Sequence, residues 1–356
     1  MPLRRGAVAL VLIGGLTAFA VFAAALAGAA LKQVPHPAAA ASPLAHVERV
    51  PAPKAALTTA RQVPVLVYHE MDNDCAATAA TCARGHDYES VSQAQFTAEM
   101  AWMYARGYHT VTLAQYLAWL GDKRTLLPPK PFLITADNGI WNFLSGSQAT
   151  LWHYRYTAAA FLVTGFASAA SGQCAARLDG IDVQPGCPKS SEYWDATWAQ
   201  IRSLSPAVYS FGIEAGPSGH YEQDYAGACY QFDACKMPGE TAAHYEARVR
   251  AEMNGGIAML TRQLGARFDA RAWVVPYSDL GYPCEAVSCA GEQHTDPGNW
   301  LIHYAARHFA AAFVQDYYRN GKDHERFRYE VHNTTTLTQF IAAIRHYTKA
   351  GAFRWA

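Results

Sequence analysis

From residue 62 onward, short apolar runs alternate with segments of helical period. "VPVLVYH" (63–69) is a continuous β-rich run, suited to a strand buried on both faces. "SQAQFTAEMAWMYARGY" (92–108) offers Ser92 as an N-cap, Phe96, Met100 and Met103 as an i, i+4, i+7 stripe, and Gly107 as a stop. "HTVTL" (109–113) predicts a second strand and "AQYLAWL" (114–120) a second helix. "PFLIT" (131–135) and "TAAAFLVT" (157–164) predict two more strands. Further runs follow at "YSFGIE" (209–214), "AWVVPY" (272–277), "HFAAAFV" (308–314) and "FRYEV" (327–331), before a last helix at "LTQFIAAIRHY" (337–347). Strands alternating with helices imply parallel crossover units, hence an α/β fold. About seven strands in one domain suggest a closed or nearly closed barrel.

Polar residues gather just after these runs: His69 and Glu70, Asp137 and Asn138, Glu214, Tyr277 to Asp279, and His332. In barrels of parallel strands the C-terminal strand ends form the active face, so these residues are candidates for one composite site. Singly, each also fits a structural role. Asp137 before Asn138 and Gly139 fits a plain turn, and "HNTTT" fits a helix cap.

The chain ahead of the barrel is different in texture. Residues 6–31 carry no charge and follow Arg4 and Arg5. A signal-peptide core is about 7–15 residues and a membrane span roughly 20, so this run is long enough to span. The two arginines hold residues 1–5 in the cytoplasm and place the rest outside, as a single-pass membrane protein. "AGAA" at 27–30 is the alternative, a cleavage site that would release a secreted form. Residues 32–61 are Ala/Pro-rich, without amphipathic period, and read as a tether to a domain at 62–356. The eight cysteines fall into four near neighbours, Cys75/Cys82, Cys174/Cys187, Cys229/Cys235 and Cys284/Cys289, as expected of loop disulfides outside the cytoplasm. With 29 basic and 29 acidic residues, no electrostatic footprint for nucleic acid exists.

Taken in order, these segments resemble the NodB-homology polysaccharide deacetylases (carbohydrate esterase family 4), from about Val63 to Tyr347. "VPVLVYHEM" resembles the opening strand of one subgroup, and "FTAEMAWMYARGYHTVTLAQYLAWL" the helix, turn, strand and helix after it. "PFLITADNG" stands at the TFDDG motif, "WDATWAQIRSL" (194–204) at the helix before the metal-histidine motif, and "AWVVPYSDLG" at the aromatic-proline groove strand. The resemblance implies a deformed (β/α)7-type barrel and hydrolysis of N-acetyl or O-acetyl groups on an acetylated polysaccharide or peptidoglycan-type glycan. It implies a divalent metal, zinc or similar, that activates water. Asp137 occupies the catalytic base position and His332 that of the proton-donating histidine. Asn138 stands where the metal aspartate belongs. The HxxxH segment is replaced by "SFGIEAGPSGHYE" (210–222), whose registers bring Glu214, Ser218, Glu222 or His220 to the ligand positions. Asn138, Glu214 and His220 are the ligands this implies, with His69, Trp141, Pro276 and Tyr277 lining a sugar cleft together with Trp194 and Trp198. The loss of the usual ligands keeps open a second reading, a catalytically inactive homologue that binds carbohydrate or a partner protein. A third is metal-free glycosidic cleavage by Asp137 and Glu214.

Overall fold

In the computed structural model, residues 44–52, 56–71, 89–172, 195–217, 240–276, 297–314 and 328–347 are described. The elements are β1 (Thr58–Thr59), β2 (Val65–Tyr68), β3 (Glu70–Met71), β4 (Ser90–Val91), α1 (Gln93–Ala105), β5 (His109–Thr110) and α2 (Leu113–Gly121). Then come β6 (Leu126–Leu127), β7 (Pro131–Ala136), α3 (Trp141–Tyr154), β8 (Ala158–Val163), α4 (Thr164–Gly172) and α5 (Trp198–Ser203). The chain continues through β9 (Tyr209–Ala215), α6 (Ala242–Leu264), β10 (Phe268–Val274), α7 (Pro297–His308), β11 (Ala311–Phe313), β12 (Tyr329–Glu330) and α8 (Leu337–Tyr347).

Seven parallel strands run in the order β11-β10-β9-β8-β7-β2-β12, with β5 adding to β7. The backbone N–H of Arg328 donates to the Val314 carbonyl at 3.1 Å, so the two ends of that order meet. This is the curled, deformed (β/α)7-type barrel the sequence implies. Side-chain alternation divides the strands into two faces. Phe132 and Ile134 of β7, Ala160 and Leu162 of β8, and Phe211 and Ile213 of β9 pack with Phe96, Met100 and Met103 of α1 and Phe143 of α3. Leu133, Ala159 and Phe161 face the other way, with Leu113, Leu117 and Trp119 of α2.

Ser92 caps α1 by accepting from the Gln95 amide at 3.0 Å, and Gly107 takes φ +71° just beyond the helix. Both follow from the sequence pattern. The tether does not hold as a whole. Among its described residues, Leu44 is buried, and the carbonyls of Val47, Val50 and Ala60 accept from Trp152 Nε1, Arg155 Nε and Trp119 Nε1. Thr58 and Thr59 pair antiparallel with Leu127 and Leu126. Much of 44–61 is therefore docked on the barrel by its backbone. The predicted membrane segment 6–31 and all eight cysteines lie outside the described residues, and no described helix is long and apolar enough to cross a membrane.

Candidate active site

β2 and β7 are adjacent and parallel, with Tyr68 beside Ala136, so the residues that follow them emerge side by side. Leu133, Thr135 and Asp137 share one side of β7 by period-two alternation, the side opposite Phe132 and Ile134. Arg328, just before β12, reaches this face. Its guanidinium donates to both Asp137 oxygens, at 2.5 and 2.6 Å, and to Thr135 Oγ1 at 3.2 Å. Arg328 and Asp137 are 1% and 2% exposed, which makes this a fully buried, bidentate ion pair.

His69 lies beside that pair. Its Nε2 is 3.8 Å from Asp137 Oδ2, and its Nδ1 is 3.4 Å from Glu330 Oε1 and 4.0 Å from Glu89 Oε2. Burial alone would strip the proton from the ring, but Glu89, Glu330 and Asp137 outweigh burial and the opposing Arg328, and raise the pKa to about 9. His69 is thus an imidazolium at neutral pH. Glu330 has a second neighbour, His332, whose Nε2 is 3.4 Å from Glu330 Oε2. The four groups form a chain from His332 through Glu330 and His69 to Asp137.

The remaining residues named from sequence divide clearly. The Asn138 backbone N–H donates to Glu214 Oε2 at 2.6 Å, so these two meet. His332 lies two residues beyond β12, ahead of the last helix, and faces Glu330; His69 is the histidine against Asp137. Trp141 opens α3, half-buried and packed on the core, and Pro276 is buried at the end of β10. Trp198 is a core residue, with its Nε1 on Ser168 Oγ at 3.2 Å, so it is no sugar platform. His220, Tyr277 and Trp194 lie outside the described residues. Arg328, Glu89 and Glu330 were not singled out from sequence. The signal was present for two of them: Arg328 and Glu330 sit two apart in "FRYEV", on one face of a buried strand.

No protein-family model matches the chain, and no curated protein matches its sequence. Solved structures do match. The de-N-acetylase from Aggregatibacter actinomycetemcomitans aligns with a TM-score of 0.57 at 17% identity, over 79% of this chain and 99% of that one. IcaB from Ammonifex degensii gives 0.51 at 18% identity, over 82% and 99%. The Streptococcus pyogenes deacetylase PplD, solved in complex with acetate, gives 0.50 at 13%, over 80% and 98%. The fold is that of the polysaccharide deacetylases.

The deacetylase fold carries the expectation of a metal, and the corner at Asn138 can be tested for it. A tightly held zinc takes about four ligands, several of them anionic thiolate or carboxylate or neutral imidazole. Among the described residues this corner offers the Asn138 amide and one carboxylate, Glu214, whose oxygen already accepts the Asn138 N–H. That donor set does not fit a tightly bound dication. A different set, His69, Glu89 and Glu330, brings ligand-type atoms within 4.8 Å of one another. A proton on His69 answers the same two carboxylates.

Proposed function

We propose that the protein is an extracytoplasmic deacetylase-like hydrolase acting on N-acetyl or O-acetyl groups of a cell-surface glycan. The observation that carries this reading is the juxtaposition of Asp137 and His69, 3.8 Å apart at adjacent strand ends. Burying such charges costs several kcal/mol per ion unless each is well paired. A scaffold that only displayed a groove would gain little by keeping them.

In this scheme a water attacks the acyl carbon and Asp137 takes its proton. The bond from the acyl carbon to nitrogen or oxygen then breaks, and the leaving group takes a proton from His69. Acetate and a free amine or hydroxyl result. Arg328 orients Asp137, and Glu330 and Glu89 keep the proton on His69 until it is needed. The outward topology rests on residues 1–31 and the cysteine pattern of the sequence.

The test is acetate release from N-acetylated and O-acetylated glucosamine oligomers. Removing a general acid or base costs about 10²–10⁴-fold, so Asp137→Asn and His69→Gln are each expected to lose at least about 100-fold. A second reading, an inactive homologue that binds glycan, draws support from the poor metal corner. Retained oligomer binding with no acetate release from the wild-type protein would establish that reading and end the first.

A further inference from the structure

We infer that Glu214 does by hydrogen bonding what a dication at this corner would do by coordination: it ties the Asp137–Asn138–Gly139 turn to the far side of the next strand but one. In the sheet β8 separates β7 from β9, so a side chain on β9 reaches the β7 turn only by crossing the end of β8. The register shows how. Leu162 pairs with Ile213 and Val163 with Ala215, so Glu214 is the extra residue of a bulge. A bulge re-aims one side chain, and this one directs Glu214 to the Asn138 N–H at 2.6 Å.

The surroundings hold both ends fixed. Trp273 Nε1 donates to the Glu214 carbonyl at 2.9 Å, and Gly165 N–H to the Gly216 carbonyl at 2.9 Å. A Cβ on Gly216 would lie 2.1 Å from the Glu252 carbonyl oxygen, so α6 is seated directly on the end of β9. On the β7 side, Asn138 has φ +63° and Gly139 φ +84°; the Asp137 N–H donates to the Tyr68 carbonyl and the Gly139 N–H to the Asp137 carbonyl, while the Asn138 N–H goes to Glu214. A Cβ on Gly139 would meet Leu162 Cδ2 at 2.7 Å, so the turn lies flat on β8 beneath the Glu214 link. A buried carboxylate on a backbone N–H is a charge-assisted bond, stronger than a neutral one. The residue standing at a ligand position thereby gives one carboxylate oxygen to the backbone, and among the described residues the corner keeps no donor set for a tightly held dication. This inference stands whether or not the protein hydrolyses acetyl groups.

Two measurements on the whole protein test it. Amide exchange at Asn138, read by hydrogen–deuterium exchange of the 133–141 segment, is expected to speed up at least about tenfold in Glu214→Ala. Glu214→Gln keeps a neutral acceptor and falls between, and it carries the test should the alanine variant not fold. Equilibrium dialysis against zinc is expected to give the same uptake for wild type and Glu214→Gln. Unchanged exchange at Asn138 in both variants would overturn the inference, as would bound zinc that Glu214→Gln removes.

Discussion

Replacing Arg328 by Met isolates the buried ion pair at the site. The guanidinium is 1% exposed and supplies both oxygens of Asp137, itself 2% exposed. Removing one partner of a buried ion pair typically costs about 3–5 kcal/mol, because the other charge stays buried. His69 limits the damage. Unit charges 3.8 Å apart attract by roughly 4 kcal/mol at an effective dielectric of about 20, before desolvation is charged against them, so the imidazolium partly replaces the lost cation. Thr135 Oγ1 loses a donor but keeps its own bond to the Leu66 carbonyl. The expected loss is therefore at the lower end, about 3 kcal/mol, read from urea denaturation at pH 7. The double variant Arg328→Met with Asp137→Asn removes both charges and is expected to recover most of that loss. A single variant within about 1 kcal/mol of wild type, or a double variant no better than the single, would refute the reasoning.

Two further outcomes follow from contacts away from the pair. Burial raises the Glu99 carboxyl to about 7, against the bonds from Tyr68 and Gln95, so the folded protein holds that proton more tightly than the unfolded chain does. Its contribution is full below the ordinary value of 4.5 and is lost as pH rises through about 7. Denaturant titrations at pH 5 and pH 8 are thus expected to show Glu99→Gln gaining on wild type by up to about 3 kcal/mol at the higher pH. A chain starting at residue 62 forfeits the carbonyls of Val47, Val50 and Ala60, buried Leu44, and Arg49 stacked 4.0 Å above Trp152. Compared with one starting at residue 44, it is expected to unfold about 3 kcal/mol more easily.

The barrel was legible because its evidence is side-chain periodicity. Continuous apolar runs mark β2, β7 and β8, and the stripe of Phe96, Met100 and Met103 marks α1. The docking of 44–61 left no such mark, since the barrel grips it through backbone carbonyls that any residue provides. The helix α6, for which no sequence expectation was drawn, carries Gly255 and Gly256, poor helix formers, in its interior. Gly256 is there for space: a Cβ on it would stand 2.6 Å from Ile213 Cδ1. Within the site, Asp137, Asn138, Glu214 and His69 could be placed from their positions after strands. What could not be read was who meets whom. The family resemblance gave His332 as the proton donor; the geometry sets His332 beside Glu330 and His69 between Glu330 and Asp137. The bulge that turns Glu214 toward Asn138 is a register shift, and a register belongs to two strands at once.

The side chain of Arg328 secures Asp137, and the Arg328 backbone N–H joins the last strand of the barrel to the neighbourhood of β11. The two partners of the ion pair are 191 residues apart in sequence. Neither the seam nor the ion pair can form before the β12 segment is present. A chain emerging residue by residue carries Asp137 long before it carries the cation that orients it. A chain that still lacks the β12 segment therefore holds the Asp137 carboxylate without its buried partner.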